Sequence, residues 1–156
     1  MEIAGLPLHP LVVHAAVVLT PLAALLVVVF AVRTPWRWLT RWPAALATVG
    51  ALGAVFAAKI TGTSFLHDRP ELAPLVRTHQ HRANVLFLLM IGFTVLTLVG
   101  AWSLGGDSAL ASGRGARDSR VAVLDRVMPA LLVLGAVLVL VWVVLTGDAG
   151  ARAVWG

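Results

Sequence analysis

Five histidines are the residues of this sequence best suited to carry chemistry. His9 and His14 stand at the start of a long apolar run, while His67, His79 and His81 lie in one stretch between two later apolar runs. An ionisable side chain at membrane depth is costly, so its presence indicates a functional site. Neutral imidazole nitrogens ligate haem iron, copper and zinc. The sequence therefore predicts a histidine-based binding site at one end of a set of membrane helices.

Other kinds of chemistry lack the residues that they need. The chain has no cysteine, which removes thiolate ligands and disulfides. The polar residues within the apolar runs are a few threonines, Asn84 and Ser103, so no Ser/His/Asp or Cys/His nucleophilic set can be assembled. No Gly-rich phosphate loop follows a strand pattern, and no paired carboxylates lie in the apolar runs. The sequence shows no catalytic constellation, and we expect a protein that is not an enzyme.

The composition is that of an integral membrane protein. Of the 156 residues, 60% are hydrophobic and 12% are charged, whereas soluble domains are roughly 45–50% apolar. The net charge of +5 comes from arginines scattered at the ends of apolar runs, where basic residues orient membrane helices. The expected partner is therefore the lipid bilayer, and nucleic acid is not.

Four apolar runs are each long enough to cross roughly 30 Å of hydrocarbon. The predicted fold class is all-α: a single membrane domain over residues 1–156, in which four transmembrane helices form an up-down bundle. The predicted helices cover about 11–32, 43–60, 83–104 and 127–146.

Arginines and tryptophans set the predicted orientation. A short hinge after the first helix alternates the two residue types, which is typical of a cytoplasmic interface. Residues 105–120 are rich in Gly, Ser and Arg without apolar periodicity, and predict a flexible cytoplasmic loop. We therefore expect loops 33–42 and 105–126 in the cytoplasm, both termini on the extracytoplasmic side, and a multi-pass protein of the bacterial inner (plasma) membrane. The hinge residues are Arg33, Trp36, Arg37, Trp38, Arg41 and Trp42.

With this topology all five histidines converge on the extracytoplasmic end of the bundle. We expect residues 61–81 to form the long polar connection there, with Pro74 starting a helix that continues into the third span. At about 100° per residue, His79 and His81 point about 200° apart, so only one of them can face the bundle interior. Periodicity alone does not choose between the two.

Small residues mark a second feature of the predicted bundle. Gly50, Ala54 and Ala58 recur every fourth residue, which allows another helix to approach this backbone closely. We expect this stripe to lie at a helix–helix contact, either within the bundle or with a partner or second copy.

Residues 5–14, which read GLPLHPLVVH before an apolar span, resemble the opening of a bacterial membrane family called domain of unknown function 2231. Thr61-Gly62 after the second span and residues 74–79 at the start of the third extend the resemblance over nearly the whole chain. The family's pattern marks His9, His14 and His79, and so favours His79 over His81. It leaves His67 and His81 as particular to this sequence, and His81-Arg82-Ala83 replaces the family's acidic residue and Leu-Gly pair.

Two functions remain open. In the first, His14 and His79 are the principal ligands of haem b, or of copper, iron or zinc, and His9 is a third ligand or a hydrogen-bonding partner. Such a protein would serve electron transfer or redox sensing. In the second, the chain is a cofactor-free structural or accessory subunit that packs through its small-residue faces. The cations expected to pair with haem propionates are Arg69, Arg77, Arg82 and Lys59.

The orientation can be tested because the chain has no cysteine of its own. With Thr63→Cys or Ser112→Cys as the single thiol, we expect an impermeant thiol reagent applied to intact cells to label position 63 and to spare position 112. The opposite labelling pattern would mean that the bundle is inverted in the membrane.

Overall fold

The computed structural model describes residues 2–3 and 6–155, and the side chains of residues 9–153 and Trp155. Four long helices make up most of this part of the chain. Before the first helix, strand β1 (Glu2–Ile3) pairs antiparallel with strand β2 (Leu6–Pro7), a short pairing that the sequence did not predict. The helices are α1 (Leu8–Val32), α2 (Arg37–Asp68), α3 (Ala73–Ser103) and α4 (Ala122–Trp155).

Each helix is long and apolar enough to cross a membrane. The prediction of an all-helical chain with four membrane-crossing helices is therefore confirmed. The side of the membrane on which each end lies stays a prediction, and Met1 and Gly156 fall outside the described residues. The candidate spans are His9–Val32, Thr34–Asp68, Pro70–Ser103 and Ala122–Ala153.

Short connections make consecutive helices antiparallel neighbours. A 3-10 turn at Thr34–Trp36 joins α1 to α2, and another at Pro70–Leu72 joins α2 to α3, each with a proline at its start. Helix α1 packs against α2 and α4, and α3 packs against the same two helices. The four helices therefore form a closed up-down ring, with the start of α1 and the end of α2 at one end of the bundle.

The predicted polar connection over residues 61–81 is mostly helical. Helix α2 continues through Thr61 to Asp68, and α3 begins at Ala73 with a proline in its first turn, as the sequence predicted for Pro74. The helical conformation is interrupted only around Pro70. The polar residues before Pro70 can continue α2 because the inner face of the helix stays packed. The histidines of this region are consequently fixed on rigid helices.

Arg37 and Arg41 do not form the predicted interfacial belt, because both are buried, with exposures of 6% and 7%. Arg37 donates from Nε to the Phe30 carbonyl (3.2 Å) and from its terminal nitrogens to the carbonyls of Ala31 (3.0 Å) and Gly105 (2.8 Å). The last carbonyls of a helix lack intrahelical partners, and a guanidinium carries five N–H groups in a fixed fork. The first turn of α2 therefore holds the end of α1 beside the chain that leaves α3.

The segment between α3 and α4 is tied down by hydrogen bonds. Gly106 and Arg117 exchange two backbone hydrogen bonds of 2.9 and 3.0 Å, and the Ala109 amide donates to the Pro35 carbonyl (3.1 Å). Gly115, with a φ of +89°, packs directly on Trp38, and a Cβ there would lie 2.8 Å from the Trp38 Cβ. The segment thus packs on the α1–α2 turn, while its flexibility stays a prediction.

The bundle core is filled by large side chains that meet small ones. Phe30, Met90, Phe93 and Leu132 are almost completely buried. A Cβ at Gly135 would lie 2.9 Å from Phe93 Cδ2, so the phenyl ring rests on the backbone of α4. Close contact between α3 and α4 thus depends on a glycine, as is common where no hydrophobic force drives helices together.

Gly50 of the predicted small-residue stripe is not at a helix–helix contact within the bundle, because it is exposed and has no atom within 4 Å of a Cβ position; a contact with a partner or second copy stays a prediction. Ala54 and Ala58 lie at the edge of the core and pack against it. A helix turns by about 100° per residue, and the face of α2 that is buried is offset by one residue from the stripe. That face carries Ala44, Thr48, Ala51 and Val55.

Neighbouring positions 50 and 51 therefore test the rotation of α2. Ala51→Leu should lower the melting temperature of the detergent-solubilised protein, because overpacking a core costs about 1–3 kcal/mol. Gly50→Leu should leave the melting temperature unchanged or raise it, since leucine favours helix over glycine by up to about 1 kcal/mol. Equal destabilisation by both substitutions would contradict this packing.

Candidate functional site

A cavity opens between all four helices at the end of the bundle where α1 begins and α2 ends. Its volume is about 730 Å³, within the range of roughly 300–1,000 Å³ that is usual for small-molecule sites. Most of its wall is apolar, with a small number of polar groups, as expected of a pocket for an apolar ligand. The polar side chains that line it are His9, Lys59, Thr63, His79, Gln80, Asn84 and Thr146.

Two imidazoles from different helices meet at this cavity. The ring centroids of His9 and His79 are 6.4 Å apart, and the ring planes are inclined at 75°. His9 lies on α1 and His79 on α3, so the contact crosses the bundle between helices that are not neighbours in the ring.

The hydrogen-bond partners favour one tautomer of each ring, with the proton on Nδ1. His79 Nδ1 lies 2.9 Å from the Thr146 carbonyl, which can only accept, so Nδ1 donates. His9 Nδ1 lies 3.2 Å from Thr61 Oγ1. That hydroxyl already donates its proton to the carbonyls of Ala57 and Ala58, at 2.9 and 3.1 Å. With that proton turned to the carbonyls, Thr61 Oγ1 accepts from His9 Nδ1, and in this tautomer both neutral rings keep a lone pair on Nε2.

Two glycines make room for the imidazole rings. A Cβ at position 62 would lie 2.9 Å from His9 Cε1, and a Cβ at position 150 would lie 3.1 Å from His79 Nδ1. Gly62 is on α2 and Gly150 on α4, so each ring rests directly on the backbone of the neighbouring helix. Any larger residue at position 62 would displace the His9 ring.

His14 does not join the pair. Its side chain is exposed, its Nδ1 donates to the Pro10 carbonyl of its own helix (2.6 Å), and it does not line the cavity. Five residues separate it from His9, which rotates it by about 140° around the helix. The expectation that His14 and His79 approach each other is therefore corrected: the partner of His79 is His9.

Most of the other predicted site residues do not face the cavity. His67, His81 and Arg77 are exposed, so His79, and not His81, faces the bundle interior. Arg82 donates to the Leu145 carbonyl (2.7 Å) and pairs with Asp148 at 3.6 Å. Arg69, Arg77 and Arg82 do not line the cavity.

One cation lines the cavity, and a second lies beside a residue of its wall. Lys59 lies in the wall, with Nζ 4.9 Å from the centroid of the Phe87 ring. The Arg69 guanidinium lies 5.4 Å from the centroid of Phe65, and Phe65 itself is a wall residue. Both cations are therefore placed near the edge of an apolar chamber.

A metal site made of three protein side chains is not assembled in the described part of the chain, where no group of three or more His, Asp or Glu residues is close enough to hold an ion. The predicted set of His9, His14 and His79 fails because His14 faces away. What remains is a pair of imidazoles on an apolar cavity.

Thr61, Gly62, Thr146 and Gly150 are the supporting residues that reasoning from the sequence did not identify as such. The sequence carries a signal for two of them: Thr61 and Gly62 form a Thr-Gly pair at the end of the second apolar run. The same pair recurs as Thr146-Gly147 at the end of the fourth apolar run, whereas no such pattern marks Gly150, whose role follows from how α3 and α4 pack.

Comparison with known proteins identifies a family and no characterised relative. The family described as "Predicted membrane protein (DUF2231)" matches residues 5–156. No curated protein and no solved structure matches the chain. The match covers the histidine pair and all four apolar helices, which agrees with the resemblance seen in residues 5–14. This multi-pass membrane protein therefore belongs to the DUF2231 family.

Proposed function

We propose that the protein binds one haem b with His9 and His79 as the two axial ligands, and serves electron transfer or redox sensing in the bacterial inner membrane. The observation that carries the proposal is the pair of rings, 6.4 Å apart, whose Nε2 atoms are free. Two imidazoles on opposite sides of one metal ion, each bonded at about 2 Å, have centroids about 6 Å apart. The observed separation agrees with that requirement.

Haem fits this pair better than a bare ion does. A porphyrin supplies four nitrogen ligands, so the protein has to provide only two. A copper, iron or zinc ion would need further protein ligands, and the described residues offer no third His, Asp or Glu at the site. The hydrogen bonds to Thr61 and Thr146 are of the kind that orient ligating imidazoles and fix their tautomer.

The cavity also suits the macrocycle. Its apolar wall includes Val13, Val55, Leu86 and Val143, one from each helix, and the chamber holds about 730 Å³. Lys59 is the residue of the wall best placed to pair with a propionate, since a charge-assisted hydrogen bond to a carboxylate is strong where water is scarce. Arg69, near Phe65, is the second such cation.

The alternative is a cofactor-free accessory subunit. His9–Thr61 joins α1 to α2, and His79–Thr146 joins α3 to α4, so the same hydrogen bonds can serve helix packing alone. Gly50 and Gly53 favour this alternative, because both leave open space on the outer face of α2 where another helix could approach.

Spectra of purified protein from cells supplied with haem separate the two functions. If haem is bound, we expect the absorbance spectrum of a six-coordinate b-type haem, and this spectrum should shift on reduction with dithionite. His9→Ala and His79→Ala should each lose that spectrum. His14→Ala and His81→Ala are matched controls on the same two helices and should keep it, because both side chains are exposed.

Metal analysis of the same samples completes the test. Wild-type protein that carries neither haem nor metal, although both were supplied, would overturn the cofactor proposal and support the accessory subunit. Copper or zinc in place of haem, lost in His14→Ala as well as His79→Ala, would show that the histidines assemble differently from the His9–His79 pair.

A further inference from the structure

The end of the bundle opposite the cavity carries a cluster of arginines around the last turn of α3. Arg41 donates from Nη2 to the Leu104 carbonyl (2.9 Å), and Arg117 donates from Nη2 to the Trp102 carbonyl (2.8 Å). The Arg120 guanidinium lies 5.1 Å from the centroid of the Trp102 ring. Three guanidinium groups thus gather at one helix end, and we call them the arginine cluster.

The charge of Arg41 is not balanced by an anion among the described residues. The charged groups that act on Arg41 are Arg117, Arg37 and Arg120, all of them cations. Asp125 acts on Arg37. In the part of the chain that the structure describes, no carboxylate forms an ion pair with Arg41. Carbonyls at a helix end offset part of a charge, but a buried cation without an anion is costly.

Two buried donors in the same place have no acceptor. Arg41, only 7% exposed, has a buried Nε without a hydrogen-bond partner among the described residues. The buried hydroxyl of Ser103, which lies between Trp102 and Leu104, is also without one. The buried Oδ1 of Asp125 also lacks a partner, but that carboxylate acts on Arg37 and not on Arg41. Buried polar atoms are nearly always paired in native proteins, so Arg41 Nε and Ser103 Oγ indicate an acceptor that the described residues do not supply.

The surroundings indicate what kind of molecule carries that acceptor. Trp102, Trp42 and Leu46, which lie on the same two helices, are 53%, 66% and 70% exposed. Exposed tryptophans beside arginines are typical of the membrane interface, and basic pockets between transmembrane helices bind phosphate headgroups. An anion with an attached acyl chain would use both the charge and the apolar flank.

We propose that the arginine cluster binds the phosphate of an anionic phospholipid. Arg120, which is exposed, and Arg117, which is half-buried, contact the headgroup. Arg41, which donates to the Leu104 carbonyl, and Ser103, the residue before Leu104, supply a fixed charge and a hydroxyl donor at the same helix end. The site lies at the other end of the bundle from His9 and His79, so it holds whether or not haem is bound.

The test uses the full chain in nanodiscs of phosphatidylcholine, to which phosphatidylglycerol is added in steps. Bound phosphatidylglycerol is counted by native mass spectrometry, and the melting temperature is recorded at each step. Arg117→Gln combined with Arg120→Gln should weaken phosphatidylglycerol binding roughly fivefold for each arginine removed. Arg114→Gln, an exposed arginine of the same segment, is the matched control and should bind like wild type.

Each outcome decides for or against the site. A loss of phosphatidylglycerol binding that is confined to the double variant supports the site. An equal loss in Arg114→Gln indicates unspecific attraction and overturns the site. Unchanged binding in the double variant overturns it as well. A third arm replaces the lipid with inorganic phosphate at constant ionic strength, and stabilisation by phosphate without any effect of phosphatidylglycerol overturns the lipid assignment. Should the double variant fail to fold in phosphatidylcholine, Arg120→Gln alone is read in the same way, because its guanidinium only stacks on Trp102.

Discussion

Hydrocarbon offers no hydrogen-bond partner, so a polar side chain buried in a membrane bundle must find one on a neighbouring helix. In this protein such contacts join the helices in sequence order. His9 donates to Thr61 between α1 and α2, Thr94 Oγ1 donates to the Thr48 carbonyl (3.3 Å) between α2 and α3, and His79 donates to the Thr146 carbonyl between α3 and α4. These few polar contacts set rotation and register in a core whose apolar surfaces resemble the surrounding lipid. The candidate site uses two of them.

The architecture was largely predictable because each helix has an apolar run of membrane length. The ends were not. Arg37 and Arg41 sit among tryptophans, a composition typical of an interface, yet they turn inward because the carbonyls of Phe30, Ala31 and Leu104 need donors. Local sequence cannot show that need, which arises only when the ends of α1 and α3 meet the start of α2. The same tertiary contacts explain why the segment after α3 packs instead of standing free.

The histidine end was predictable in part. The sequence placed His9, His14 and His79 at one end of the bundle, but it paired His79 with the wrong partner. The structure separates the two faces: Ala16, Ala23 and Phe30 follow His9 at a seven-residue spacing and are all buried, whereas Val18, one turn after His14, is 64% exposed. The sequence does not separate them, because Pro21 and Val28, which follow His14 at the same spacing, are apolar as well. The same period runs from His79 through Leu86 and Phe93, both buried. His9 and His79 thus lie on the buried faces of their helices, and both line the same cavity.

The proposed function depends on the pairing of His9 with His79, and this pairing can be measured directly because the chain has no cysteine. The double variant His9→Cys/His79→Cys is treated in membranes with a short reagent that joins two thiols, and the mass of the intact protein is recorded. His14→Cys/His79→Cys is the matched comparison. We expect an internal cross-link for positions 9 and 79 and two separately modified thiols for positions 14 and 79. Efficient cross-linking of 14 to 79, with none between 9 and 79, would contradict it.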